Sequence, residues 1–110
     1  MPVVVKRDRR REPFQREKVL AGLRRACVKR AVPSEELERL VARLERTLAE
    51  SGESEVESRE IGERVLQALR GIDLVAYVRF ASVYREYRDV QQFVDELEAL
   101  LGGRGAGSIR

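Results

Sequence analysis

The sequence has no histidine and only one cysteine, Cys27. Without an imidazole, Ser/His/Asp and Cys/His nucleophilic arrangements are excluded. A single cysteine makes no internal disulfide, and a zinc site needs about three or four Cys/His ligands. The phosphate loop G-x-x-x-x-G-K-[ST] is absent, and so is G-x-G-x-x-G. No apolar run approaches the ~18–20 residues that cross a bilayer. Val3-Val4-Val5 runs straight into Lys6 and Arg7, too short and in the wrong order for a secretory signal. These absences leave no catalytic set and no metal set. They predict a cytoplasmic protein without a membrane segment that is not an enzyme by itself.

The 110 residues suit one domain, and 43% of them are hydrophobic, enough for one core. Charged residues make up 37%, which fits amphipathic helices with solvated faces. The net charge of +3 hides an asymmetry. Residues 1–30 carry eleven Lys/Arg against three Asp/Glu, and the remaining eighty residues are net acidic. Such a division predicts an anionic partner near the N-terminal third: a nucleotide, a nucleic acid or the acidic face of another protomer.

Residues 2–7 are short and β-branched and predict a strand. Asp8-Arg9-Arg10 reads as a turn, and residues 11–14 as a returning strand that Pro13 confines to an edge. A first helix is predicted over residues 16–29, with Val19, Leu23 and Cys27 on one stripe and Gln15 as a mediocre cap. Cys27 then reads as a packed structural thiol. Ser34 is the expected cap of a second helix that buries Leu37, Leu40, Val41, Leu44 and Leu48 and runs to about Glu50. Residues 55–57 predict a short strand. Ser58 is the expected cap of a third helix, with Ile61, Val65 and Leu69 inward, ending near Arg70-Gly71. Asp73 is the expected cap of a fourth helix, dense in apolar residues and expected to be covered on most sides. Arg79 lies inside that run, where a buried cation would need an anionic partner. A fifth helix is predicted over residues 89–101, followed by a glycine-rich tail over 102–110. The predicted fold is mainly α, a four- to five-helix bundle with a small N-terminal β-hairpin. Residues 1–101 form the domain.

The basic N-terminal element is where binding chemistry concentrates. Lys6, Arg7 and Lys18 converge if the hairpin packs on the start of the first helix. Such side chains hold phosphate through charge-assisted hydrogen bonds, and a helix N-terminus adds its N–H groups. Glu12 is the acidic residue in this patch, suited to accept from an adenine amino group or a ribose hydroxyl. Spacing alone leaves a solvated basic surface as an equal alternative.

Val4-Val5-Lys6-Arg7-Asp8, then Phe14 and Lys18, resembles the opening signature V-x-K-R-D-G…F…K of the ATP-cone family. Residues 76–84, Ala-Tyr-Val-Arg-Phe-Ala-Ser-Val-Tyr, followed by Tyr87, Asp89-Val90 and Phe93, resemble the version found in NrdR-type repressors of ribonucleotide reductase genes. Together these segments span about residues 3–100. The resemblance implies a regulatory domain that binds ATP or dATP under a hairpin lid against a helical bundle. Mg²⁺ is a candidate companion of the phosphates. Nucleotide would control homo-oligomerisation, a population shift by differential affinity. It further implies that Val4, Lys6 and Arg7 touch base and phosphates from the hairpin. Glu12 would lie near base or sugar, Lys18 on phosphate and Ser58 on phosphate or metal. Tyr84 and Tyr87 would line the adenine or sugar pocket, with a core role for both tyrosines equally open.

Two departures from the pattern stand out. Arg9 replaces the usual turn glycine, which predicts a different turn or a looser lid. The repressors read DNA through a four-cysteine zinc ribbon, and no C-x-x-C occurs here, so DNA binding by this chain alone is not expected. Two alternatives remain: the allosteric ATP-cone of a ribonucleotide reductase large subunit, and a basic helical nucleic-acid-binding module. The second lacks an aromatic stacking platform.

Overall fold

The structure is a computed structural model describing residues 1–85 together with Asp95, Glu98 and Ala99. The predicted fifth helix, the glycine-rich tail and the domain boundary at residue 101 lie outside the described residues, apart from those three positions, which are exposed and helical. The chain runs β1 (Val3–Val5), β2 (Arg11–Glu12), α1 (Arg16–Ala26), α2 (Ser34–Glu50), β3 (Glu55–Glu57), α3 (Ser58–Arg70) and α4 (Leu74–Tyr84). The architecture is the mainly helical one expected, with one addition. The hairpin is part of a three-stranded sheet of order β2-β1-β3, in which β3 runs parallel to β1. Residues 55–57 read as a strand from sequence, but their partner did not.

The sheet's two faces differ. Val4 lies opposite both Glu12 and Val56, so these three share the inner face. Val4 and Val56 join the core there. Val3 and Val5 lie on the opposite face with Arg11, Glu55 and Glu57, Val3 exposed and Val5 buried. The Arg11–Glu55 and Arg9–Glu57 ion pairs cross β1 on that side. β2 stops at Glu12, short of the predicted Phe14, because Pro13 has no N–H to extend the ladder.

The tip of the hairpin corrects the expectation for Arg9. The Arg9 N–H donates to the Lys6 carbonyl (2.9 Å), and the Lys6 N–H donates to the Arg10 carbonyl (2.8 Å). Arg9 itself adopts φ 71°, the left-handed conformation that glycine would take. The tip is therefore a tight turn that holds an arginine in the left-handed region, at a conformational cost. The Asp8 carboxylate braces it by accepting from the Arg10 N–H (3.1 Å) and Nε (2.7 Å).

The helices pack around one core. α1 lies against α2 and α4, and α4 also lies against α3. α2 buries the five residues that its periodicity singled out, Leu37, Leu40, Val41, Leu44 and Leu48. α3 buries Ile61, Val65 and Leu69 as expected, and also Gly62 and Leu66. Its cap is Glu57 rather than Ser58, because pairing with β1 holds Glu57 extended and Ser58 already begins the helix. Likewise Pro33, at φ −63° and ψ 144°, occupies the cap position of α2, and Ser34 is its first helical residue.

α1 ends at Ala26, three residues before the predicted Lys29. Lys29 turns to φ 61° just beyond it, and Arg79 binds at this ending, which corrects the expectation for Arg79. It is exposed, and its Nη1 donates to the carbonyls of Ala26 (3.1 Å) and Val28 (2.7 Å). The partner is the negative end of a helix dipole, not a carboxylate. Cys27 is buried beside it, and burial, then the Asp73 carboxylate, pushes the thiol upward. α4 buries Ala76, Tyr77 and Ala81, but Val75 and Val83 are exposed among the described residues, so it is not covered on most sides.

Asp73 caps α4 as its sequence position predicted, accepting from the Ala76 N–H (2.9 Å) and from Arg30 Nε (3.0 Å). The Ala76 N–H, then the Arg30 guanidinium, holds its carboxyl below the ordinary aspartate range. A depressed folded-state pKa stabilises above the unfolded value, near 4, and that stability is lost as pH falls through the folded value. Asp73→Ala is expected to cost about 1 kcal/mol at neutral pH. The gap to the wild type should shrink below about pH 4 in urea titrations, as the wild-type carboxyl protonates. Arg9→Gly should have the opposite sign, raising stability by about 1 kcal/mol in the same titration, because it relieves the left-handed arginine. The exposed Arg9–Glu57 pair it removes offsets little of that gain.

Candidate nucleotide-binding cleft

The hairpin, α1, the start of α3 and the end of α4 enclose an open cleft of about 780 Å³. That volume falls in the range of small-molecule sites, ~300–1,000 Å³. Val4 and Lys6 reach the cleft from β1 and its end, Arg7 from the turn and Glu12 from β2. Lys18 contributes from the first turn of α1, Ser58 from the first residue of α3 and Tyr84 from the last of α4. Seven of the eight residues singled out from sequence thus line one cavity, and Tyr87 lies outside the described residues.

Charge is concentrated in this cleft. Lys6, Arg7, Arg10, Lys18, Arg25 and Arg79 line it, against the two carboxylates Asp8 and Glu12. Glu12 Oε1 lies 3.5 Å from Lys18 Nζ and 4.0 Å from Lys6 Nζ. One carboxylate therefore faces both lysines. Asp8 is engaged with Arg10 in the turn. α1 and α3 both start at the cleft, through Gln15 and Ser58, and neither start has a side-chain cap. Two positive helix-dipole ends thus border a cavity already rich in cations.

Apolar and aromatic surface completes the wall. Phe14, Ile61, Val65 and Phe80 line it, and the Phe80 and Tyr84 rings stack with centroids 6.2 Å apart. The Tyr84 hydroxyl donates to the Arg59 carbonyl in the first turn of α3 (2.6 Å). Burial, then the Glu63 carboxylate, raises the Tyr84 phenol above its usual value, so it remains a donor at neutral pH. Tyr84 thus lines the cavity and also ties α4 to the start of α3. Gly62 makes this possible, since a Cβ there would overlap the Tyr84 ring.

Sequence reasoning missed Arg25, Arg79, Phe80, Gly22 and Gly62 as cleft residues. Helical spacing carried part of the signal. Lys18, Gly22 and Arg25 recur at i, i+4 and i+7 on α1, and Ser58 and Gly62 lie four apart on α3. Arg79 and Phe80 gave no such signal, embedded in an apolar run whose outward side only the packing reveals. A second depression of about 510 Å³ between α2 and α3 has Leu40, Leu44 and Val65 in its wall and the paired Arg64 and Glu60 among its charges. It holds no comparable excess of cations. Among the described residues no group of three or more His, Cys, Asp or Glu side chains is placed to hold a metal ion, and no helix is long and apolar enough to cross a membrane.

Comparison with known proteins bears on this geometry. A family described as the ATP cone domain matches residues 2–90. The protein named transcriptional repressor NrdR of Geobacter sulfurreducens is 57% identical over 101 residues, covering 92% of this chain and 67% of the relative. The transcriptional repressor NrdR of Symbiobacterium thermophilum is 56% identical over 102 residues, covering 93% and 68%. That of Syntrophotalea carbinolica is 50% identical over 105 residues, covering 96% and 67%.

The contact of Tyr84 with Gly62 gives a prediction. Gly62→Ala should destabilise the fold by about 1–3 kcal/mol, the scale of overpacking. In a chemical denaturation series, most of that loss should be recovered by adding Tyr84→Ala, which removes the opposing ring.

Proposed function

The chain belongs to the ATP-cone family, and from that premise we propose that it is the nucleotide-sensing regulatory domain of an NrdR-type transcriptional repressor, binding ATP or dATP in the cleft beneath its hairpin. The observation that carries this reading is the convergence of Lys6, Arg7, Lys18 and two uncapped helix starts on one cavity. Six cations against two carboxylates leave the cleft with an excess of positive charge, and a polyphosphate offsets the remaining repulsion with charge-assisted hydrogen bonds. The stacked Phe80 and Tyr84 and the apolar wall offer a surface for the base. Val4 closes the inner face of the lid, Glu12 is placed to accept from sugar or base, and Ser58 presents a hydroxyl with the α3 start.

Function in this reading is regulatory rather than catalytic. The ligand bridges the hairpin and three helices, so its binding energy favours one arrangement of these elements over another. Nucleotide-dependent assembly of copies of the chain follows if the favoured arrangement also exposes a self-complementary surface. The relatives are named transcriptional repressors, which supports the repressor reading over that of a reductase allosteric domain. Control of ribonucleotide reductase genes, a cytoplasmic location and Mg²⁺ accompanying the phosphates all belong to this proposal.

Calorimetric titration with ATP, dATP and GTP tests it. ATP and dATP are expected to bind at micromolar affinity or better, with GTP much weaker. Lys6→Ala and Lys18→Ala should each weaken binding by about 1–3 kcal/mol, the scale of charged hydrogen bonds. Both residues retain surface exposure, 37% and 66% of their side chains, so the fold should survive. Unchanged affinity in both variants would remove them from the site.

A further inference from the structure

Glu12 is placed where a ligand's negative charge would go. Its Oε1 lies between Lys18 Nζ (3.5 Å) and Lys6 Nζ (4.0 Å), and only a quarter of its side chain is exposed. It sits on the edge strand β2, on the inner face that looks into the cleft, opposite Val4. Lys18 is far more exposed and stands in the first turn of α1, where it is free to turn toward a ligand.

We propose that Glu12 is a built-in counter-anion, which competes with phosphate for the lysines of the subsite and sets the threshold of anionic charge needed to enter it. The inference rests on the reading of Lys6 and Lys18 as phosphate ligands. The single carboxylate partly neutralises both lysines and keeps them within reach of one another. An incoming phosphate competes with it for the same N–H donors. A chain of phosphates brings several charges and displaces the carboxylate. A single phosphate brings fewer, at the same cost of displacement, and is rejected at concentrations where polyphosphate binds. Once displaced, the carboxylate would lie beside the phosphates with no lysine to neutralise it, so it must turn away from them. Glu12 therefore acts on selectivity before it makes any contact with a base or sugar.

The test uses the full chain and inorganic ligands, which have neither base nor ribose. Phosphate, pyrophosphate and tripolyphosphate are titrated into the wild type and Glu12→Gln at one ionic strength. The variant should bind tripolyphosphate roughly three- to tenfold more tightly, the fold-change that corresponds to releasing two partly exposed ion pairs. Lys18→Gln should also cost more affinity in the Glu12→Gln background than in the wild type, because Lys18 is no longer shared. Glu12→Ala, with its melting temperature measured alongside, should move tripolyphosphate affinity the same way. Unchanged or weaker tripolyphosphate binding in both folded Glu12 variants overturns the inference. Titration of the wild type with ATP separates this from the wider reading. A chain that binds ATP but shows no gain for tripolyphosphate keeps the nucleotide reading and loses the counter-anion. A chain that binds no nucleotide but gains tripolyphosphate affinity without Glu12 keeps the counter-anion and loses the nucleotide reading.

Discussion

The parallel pairing of β1 with β3 is the constraint on which the rest of the molecule depends. It joins Val3–Val5 to Glu55–Glu57 across fifty residues of chain. Because β3 runs directly into α3, this pairing fixes the height of the hairpin over the first turn of that helix. Without it the hairpin would be a two-stranded ribbon, marginal in water. With it, Val4 and Val56 enter the core together, and Lys6, Arg7 and Glu12 are held above Lys18 and Ser58. The cleft exists because the sheet has three strands rather than two.

The opposite wall depends on contacts between helix ends. Arg79 closes the last carbonyls of α1, and the Tyr84 hydroxyl holds the first turn of α3. Both reach from α4, so one helix sets the positions of two others around the cavity. Gly62 allows α3 and α4 to approach closely enough for the second of these bonds. The result is a cavity in which, among the described residues, the Glu12 carboxylate faces both lysines. A ligand that replaces this carboxylate acts on the hairpin, α1 and α3 together, which is what a regulatory domain requires.

Much of this was legible in the sequence, for identifiable reasons. The α2 stripe was unambiguous because five apolar residues recur at helical spacing and all five are buried. Asp73 announced its role because a carboxylate before an apolar helix has one favourable position. Seven of the eight proposed site residues, named from the charge pattern and the family resemblance, line one cavity. What escaped was long-range or conformational. Three residues of Glu-Val-Glu do not say which strand they join. Ser34 and Ser58 look like caps, but Pro33 and the paired Glu57 already hold the extended conformation a cap needs. Arg9 looked like a broken turn, and the chain tolerates it at positive φ. Arg79 looked buried because its neighbours in sequence are apolar, while its guanidinium projects to the end of another helix.

Amide hydrogen exchange of the full chain, with and without ATP, reports whether the ligand engages the hairpin and both helix starts. The account predicts that ATP slows exchange in the hairpin, in the first turn of α1 and at the junction of β3 with α3, with α2 little changed. Binding of ATP without added protection at those three places, or with protection centred on the depression between α2 and α3, would contradict it.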